Sequence, residues 1–259
     1  MKILVCVKQI IEPVGPITIR EDGKWLNQDD ALDYRINYYD TYAMEAAVRI
    51  KETFSDTLVD AVSVGPADIE PTLRHALALG ADNAIHIKTR EKDYLPADIT
   101  GRLIADYVSV NPCDLILAGV MSEDTMQSLT GPVAAAHCGI PCATAATAIT
   151  VDPVKKTADV VCELEGGINE QIRLGLPALI TVQSGINQPR YASLSNRLRA
   201  KSQLIEVIDK SDDAAMPGQY QKIRRVFVPE KTAHGEFLEG SSTEKARVLV
   251  SRLHERSIL

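Results

Sequence analysis

Short apolar runs alternate with amphipathic stretches over the first two thirds of the chain, and the two spacings mark two kinds of element. Lys2–Lys8 (KILVCVK) is a continuous apolar run, as a central parallel strand covered on both faces requires. Pro13, Gly15 and Pro16 break it. Ile17–Leu26 then reads as a small hairpin turning on Asp22-Gly23, with Trp25, the single Trp, in its second arm. Tyr39–Glu52 has helical spacing: Ala43, Met44, Ala47, Val48 and Ile50 form an apolar face, Glu45 and Arg49 a supporting pair, and Asp40 a cap. Thr57–Val64 predicts a strand closed by Gly65-Pro66, and Asp68–Leu79 a helix stopped by Gly80. A short strand at Asn83–Ile87, a helix over Pro96–Val108 with Leu103, Ile104 and Tyr107 on one stripe, and a strand at Asp114–Ala118 follow.

Strands alternating with helices of this length predict right-handed βαβ units. The fold class is therefore α/β: a doubly wound, mostly parallel sheet with helices on both faces, Rossmann-like in plan. Such sheets bind ligands at the carboxyl ends of their strands, where strand order reverses. The expected wall of the site is Cys6-Val7-Lys8, Val64-Gly65-Pro66 and Gly119–Thr130.

The last of these lies in the most informative stretch, Asp114–Pro132 (DLILAGVMSEDTMQSLTGP). A buried strand breaks at Gly119, a loop rich in small hydroxyls follows, and an Ala-rich helix starts near Thr130-Gly131-Pro132. A strand end, a Gly turn and a helix amino terminus together can receive an anion, because the first helical turn carries free N–H groups at the positive end of the helix dipole. An ordinary βα connection has the same outline. Glu123 and Asp124 in this loop fit acid/base groups, a helix cap, or contacts to ribose and amide beside a phosphate. A phosphate there would need backbone N–H groups or the Ser122, Thr125, Ser128 and Thr130 hydroxyls to carry it.

After Cys142 the texture turns to β, with strands at Ala145–Val151, Asp159–Glu163 and Gln171–Leu174, turns at Asp152-Pro153 and Gly166-Gly167, and a buried strand at Pro177–Val182. From Ser184 the chain becomes polar and reads as an exposed loop entering a short basic helix. Within it, Arg190–Arg199 (RYASLSNRLR) sets Leu194 among small polar residues and arginines, either a surface loop or an apolar docking anchor with a charged rim. Ser211–Gly218 is linker-like, Arg224–Pro229 a lone strand, and Ser242–Arg256 an amphipathic helix capped by Ser242 or Thr243 with Val248, Leu249 and Leu253 as its stripe. Such an arm buries too little by itself and suits docking on a partner subunit. The organisation expected is a nucleotide-binding domain over 1–189, a recognition segment over 190–207 and an arm over 208–259.

Composition narrows the class. The 259 residues are 45% hydrophobic and 24% charged with a net charge of −7, which argues against broad binding to nucleic acid. Apolar runs fall short of the ~20 residues of a membrane span, and the amino terminus enters a strand directly, so a cytoplasmic protein without membrane insertion is expected. Five scattered Cys read as reduced thiols; Cys138 and Cys142 lack a second ligand pair, so no zinc is expected. Neither a G-x-S-x-G, an H-E-x-x-H, a G-x-x-x-x-G-K-[ST] nor a G-x-G-x-x-G after the first strand occurs. His75, His86 and His137 fall inside predicted elements as structural or surface residues, and no catalytic group is assigned.

Taken together, ILVCVKQI, INYYDTYAMEAAVRIKE, VSVGPADIEPTLRHALALGADNAIHI, DLILAGVMSEDTMQSLTGP and LPALITVQSGINQPRYASLSNRLRAK resemble, in order, segments of the electron transfer flavoprotein β-subunit family over about residues 2–207. The resemblance implies a heterodimer whose α subunit holds most of a redox-active FAD at the interface, and a β subunit that does no bond chemistry. The β subunit would bind AMP, or a second FAD if the complex is electron-bifurcating and oxidises NADH. It implies that Cys6, Asn37, Tyr38, Tyr39, Asp40, Val64, Gly119, Val120, Met121, Ser122, Glu123, Asp124, Thr125, Met126, Gln127, Ser128, Leu129 and Thr130 line the nucleotide, with Tyr39 approaching the α-bound flavin. Tyr191, Leu194, Arg197 and Arg199, with Lys201 near, would dock flavin dehydrogenases, and electrons would pass to a membrane quinone oxidoreductase or another acceptor. The arm would wrap the α subunit. Departures are concentrated in the nucleotide loop: Val120-Met121 replace a cation and Gln, Leu129 replaces a Gln, and Asn37-Tyr38-Tyr39 stands for Asn-Pro-Phe, while Asp124 and Thr130 are retained. Thr130 leans toward AMP. A stand-alone nucleotide-binding regulatory module is the reading from another class.

Overall fold

The computed structural model describes residues 1–12, 17–27, 33–91, 93–211, 221–230, 235 and 237–259. The chain runs β1 (Lys2–Cys6), β2 (Gln9–Glu12), β3 (Asp33–Ile36), α1 (Tyr38–Thr53), β4 (Leu58–Gly65), α2 (Glu70–Leu79), β5 (Asn83–Lys88), α3 (Ala97–Val110), β6 (Leu115–Gly119) and α4 (Thr130–Cys138). It continues through β7 (Cys142–Asp152), β8 (Thr157–Glu163), β9 (Asn169–Gly175), β10 (Ala178–Val182), α5 (Leu194–Ser202), β11 (Ile205–Asp209) and α6 (Ser242–Glu255).

β1 is apolar on both sides because it lies between two helical layers. Strand side chains alternate, so Ile3, Val5 and Val7 enter one core with Leu115, Leu117 and Ile180, under α1 and α2. Leu4 and Cys6 enter the other with Ile116, Ala118 and Leu179, under α3 and α4. Fully burying a side chain such as Leu115 or Ile180 is worth roughly 1.5–3 kcal/mol, so these two layers carry the fold. A nine-stranded sheet has the order β11-β5-β4-β1-β6-β10-β7-β8-β9. It is parallel from β11 to β7, and β8 and β9 extend it antiparallel. The chain builds outward from β1 through β4 and β5, then crosses through α3 to β6 on the other side of β1. Strand order therefore reverses between β1 and β6.

The doubly wound, mostly parallel architecture is as the alternation implies, and several local expectations are corrected. The N-cap residue of α1 is Asn37, not Asp40; Asp40 sits inside the first turn, buried, where strand-end N–H groups claim its carboxylate. The segment 17–26 closes as a turn with a single antiparallel bridge, Ile19 to Leu26, rather than two strands. Three strands stand outside those expectations: β2 and β3 (Asp33-Tyr34-Arg35-Ile36), which pair antiparallel with each other, and β11, whose Ile-Glu-Val-Ile-Asp alternation suits a sheet edge. Arg224–Pro229 forms no strand. Its Val226 N–H instead donates to Gly23 O at 2.8 Å, and Lys24 Nζ donates to Arg224 O at 2.8 Å. Pro13, Gly15, Pro16 and residues 212–218 of the expected linker lie outside the described residues.

The chain divides into one compact unit over Met1–Val226 and a second over Phe227–Leu259. In the second, Ser241 caps α6 rather than Ser242 or Thr243: Ser241 Oγ accepts from Glu244 N, and the Glu244 carboxylate returns the bond in a capping box. No residue of α6 is buried, and Val248 and Leu249 remain exposed.

Candidate functional site

The carboxyl ends of β4, β1 and β6 open into a cleft floored by Cys6, Asp40 and Ala118 and walled by α3 and the loop into α4, with ≈ 800 Å³ of empty space, its solvent-open mouth included. Of the residues read from the sequence, Cys6, Asn37, Asp40, Val64, Gly119, Val120, Met121, Ser122, Thr125, Gln127, Ser128, Leu129 and Thr130 all line it. Tyr38, Tyr39, Glu123, Asp124 and Met126 do not. They stand beside it, on the first turn of α1 and on the outer side of the loop. Sequence reasoning left out the α3 wall, Leu95, Ala97, Thr100 and Ile104, although Ile104 stood on the predicted stripe of that helix.

The loop is shaped by polar contacts reaching across the sheet. Asp40 Oδ2 accepts from Lys8 N at 2.7 Å and Oδ1 from Gly119 N at 3.0 Å, so one carboxylate joins the ends of β1 and β6. Burial pushes the Asp40 carboxyl up to about 7, against those N–H donors and the Lys8 charge. Gly119 is required by close approach: a Cβ there would lie 2.7 Å from Tyr39 Cβ. Asn37 spends its side chain on the loop, donating to Met121 O at 2.9 Å and accepting from Glu123 N at 3.1 Å.

Glu123 does not cap α4, the helix that its loop enters. Its carboxylate takes Arg35 as a fork at 2.8 and 3.0 Å and the Tyr38 N–H at 2.9 Å, capping α1 from a distant segment. The Arg35 hydrogen bond holds the Glu123 carboxyl below its ordinary value. Asp124 receives Lys8 Nζ at 2.7 Å, and the same ammonium reaches Ser122 Oγ at 3.2 Å. The cation that Val120 and Met121 do not supply therefore comes to the loop from Lys8, two residues past the end of β1. Met126 and Ser128 hold left-handed backbone (φ 51° and 52°), a strained conformation of the sort found where a loop is shaped for binding.

The amino terminus of α4 ends this loop. Its N-cap residue is Leu129, no side chain caps it, and its first turn carries no acid. By contrast α5 and α6 are capped by Ser193 and Ser241, and α2 and α3, which also lack a side-chain cap, carry Glu70 and Asp98 in their first turns. Leu129, Thr130 and Gly131 face the cleft, so the uncapped N–H groups of this turn are positioned for an anion.

The docking candidates lie elsewhere. Tyr191 is 96% exposed, Leu194 74% and Leu198 57%, with Arg197 and Arg199 also outward. The segment is nevertheless tethered. Asn187 Nδ2 donates to Tyr42 O at 2.9 Å, Arg190 grips Glu45 and Glu52 of α1, and Arg74 of α2 donates to Ala200 O at 2.8 Å and to Gln203 O. Among the described residues no group of His, Cys, Asp and Glu is arranged for a metal, and no helix is long and apolar enough to cross a membrane.

Fold and site together define a doubly wound α/β protein with a cleft at the switch point and a tethered basic segment carrying unburied apolar side chains. A family model described as "Electron transfer flavoprotein domain" matches residues 25–213. The chain is 34% identical to the electron transfer flavoprotein subunit beta of Methylophilus methylotrophus, with 98% of each chain covered. It is 33% identical to that of Homo sapiens, over 98% of this chain and 97% of the relative, and 37% identical to the mitochondrial one of Arabidopsis thaliana, over 82% and 83%. The chain belongs to the electron transfer flavoprotein β-subunit family.

Proposed function

We propose that this chain is the β half of a heterodimeric electron carrier. It pairs with an α subunit, holds AMP in the switch-point cleft, and presents its tethered segment to flavin dehydrogenases, whose electrons pass on to a quinone oxidoreductase or another acceptor. The observation that carries the nucleotide assignment is the uncapped amino terminus of α4 at the reversal of strand order, in a chain of this family. The residues fit such a ligand. Thr130 and Gly131 offer N–H donors at the phosphate end, Ser122 and Thr125 offer hydroxyls, and Val62, Val64, Leu95 and Ile104 supply an apolar wall for a base. Lys8 keeps the Asp124 charge paired beside the phosphate position.

A bound flavin supplies the redox chemistry, and FAD in this reading is held mainly by the α subunit. This chain binds, orients and docks. No catalytic residue is assigned: the thiol at the cleft floor, Cys6, is buried and pushed far up by that burial, which keeps it protonated and unreactive. The test is cofactor stoichiometry of the heterodimer after co-expression with its α subunit. One FAD and one AMP per heterodimer is expected. Two FAD and no AMP would replace the reading with an electron-bifurcating complex, and a colourless monomer would replace it with a nucleotide-binding regulatory module.

A further inference from the structure

The docking segment has little apolar burial of its own, because its large side chains point outward. Asn187 and Arg74 fasten its two ends and Ala200 is buried, but the start of α5 is held chiefly by the polar contacts of one residue, Arg190. Arg190 donates from Nε to Glu45 Oε2 at 2.7 Å and from Nη2 to Glu45 Oε1 at 3.1 Å. It also donates from Nη1 to Glu52 Oε1 at 2.6 Å and from Nη2 to Glu52 Oε2 at 3.1 Å, and its backbone N–H reaches Glu45 Oε2 at 3.3 Å. Glu45 is only 4% exposed and accepts from Arg49 Nε at 2.7 Å as well. Burial pushes its carboxyl up, but the Arg190 and Arg49 hydrogen bonds outweigh that and hold it below its ordinary value. One guanidinium fork thus spans two turns of α1, a geometry that a lysine point charge does not reproduce. Ser193 begins α5 three residues later, accepting from Asn196 N at 3.2 Å, and Leu194 is the first residue of that helix.

We propose that Arg190 is a positioning residue for docking: by clamping the segment to Glu45 and Glu52 of α1 it fixes where α5 starts and so presents Leu194 preformed to a flavin dehydrogenase. This rests on the docking role proposed above. The chemistry is preorganisation. A segment already ordered in the free carrier loses less conformational freedom on association than one ordered by the partner.

The experiment is steady-state electron transfer from a flavin dehydrogenase to the intact heterodimer, with the carrier as varied substrate, for wild type, Arg190→Ala, Arg190→Lys, Leu194→Ala and the Arg190→Ala/Leu194→Ala pair. Arg190→Ala is expected to raise KM for the carrier about tenfold with kcat and flavin content unchanged, which corresponds to ~1.4 kcal/mol. Arg190→Lys, which keeps the charge and loses the fork, should raise it in the same direction; should Arg190→Ala fail to assemble, the lysine variant carries the test. In the double variant the Arg190 change should add far less than it does alone, since the anchor it positions is gone. An unchanged KM in Arg190→Lys and Arg190→Ala beside a raised KM in Leu194→Ala would overturn the inference and leave the docking role standing. Full additivity in the double variant would do the same. An unchanged KM in Leu194→Ala would overturn the docking role and the inference with it.

Discussion

Two loops of this chain are fastened to the same helix for opposite ends. The loop from Gly119 to Thr130 is held at the amino terminus of α1, through Asn37, Tyr38 and Asp40, and turns its polar groups inward around a cleft. The segment from Asn187 to Ser202 is held along the flank of α1, through Tyr42, Glu45 and Glu52, and turns its apolar groups outward. The first is shaped by contact with the sheet, so its cost of change is steric and electrostatic. The second is shaped by a few charged anchors, so most of its side chains can change without disturbing the fold. In the function proposed above, the difference separates a pocket, whose value is in what it encloses, from a docking surface, whose value is in what it leaves uncovered.

The sharpest way to break that contrast is to add one methyl group to a glycine in each loop. At Gly119 a Cβ would lie 2.7 Å from Tyr39 Cβ and 2.9 Å from the Tyr39 carbonyl carbon, so α1 and β6 must separate. Gly119→Ala should cost ~3 kcal/mol, the upper part of the usual overpacking range. Gly185, at the base of the docking segment, has open space around it but a φ of +86°, so Gly185→Ala should cost only ~1 kcal/mol of backbone strain. Denaturant midpoints of the two variants check this, and equal losses would remove the distinction.

A smaller effect separates the anchors themselves. Glu123→Ala takes the cap from Tyr38 N and leaves Arg35 without its fork partner, for a loss of ~1–2 kcal/mol by the usual value of a helix cap. The amino-terminal turn of α1 should then exchange its amide protons faster, with the flank at Tyr42–Glu52 unaltered. Hydrogen exchange by mass spectrometry reads both regions at once; loosening of the docking segment in this variant would show that the two attachments are not independent.

Which parts of this were legible in the sequence follows from how far apart the interacting residues are. The two-faced burial of β1 and β6 is written locally in KILVC and LILAG, and the break at Gly119 marks the cleft loop. The strand Asp33-Tyr34-Arg35-Ile36 is four residues long and gives only Ile36 to the core, too short an apolar pattern to stand out, while Arg35 beside it is aimed at Glu123. The pairs that shape the site have no local signature: Arg35 and Glu123 are 88 residues apart, and Arg190 and Glu45 are 145 apart. Asp40 looked like a cap because it stands at the head of an amphipathic run. It is instead taken by Lys8 and Gly119, partners that only the sheet order brings to it.

Asp40 also gives the smallest effect and the one most specific to the cleft. It is the carboxyl of the cleft floor, and burial pushes it up to about 7 although Lys8 N, Asn37, Gly119 N and the Lys8 charge all favour its ionised form. The sign follows from the charge on each side of that value. Below pH 7 the group is neutral and the floor carries no charge; above it an anion lies under the ligand, and a nucleotide phosphate is repelled. Affinity for AMP should therefore fall as pH rises through about 7, by roughly three- to tenfold for one unscreened charge at this depth. Folding shifts the same way: the folded pKa lies above the unfolded value of ~3.9, so the stability Asp40 contributes is full below that value and is lost as pH rises through about 7. Titration calorimetry of AMP binding between pH 5.5 and 8.5, in wild type and in Asp40→Asn, isolates the group from the titration of the phosphate itself. The amide offers one acceptor oxygen where the carboxylate offers two, so Asp40→Asn should be less stable at low pH, and because it lacks the titrating group that deficit should shrink as pH rises through about 7. Its affinity should keep only the pH slope that AMP brings, and an identical slope in the two proteins would mean that Asp40 does not change its charge between pH 5.5 and 8.5, which would overturn the prediction.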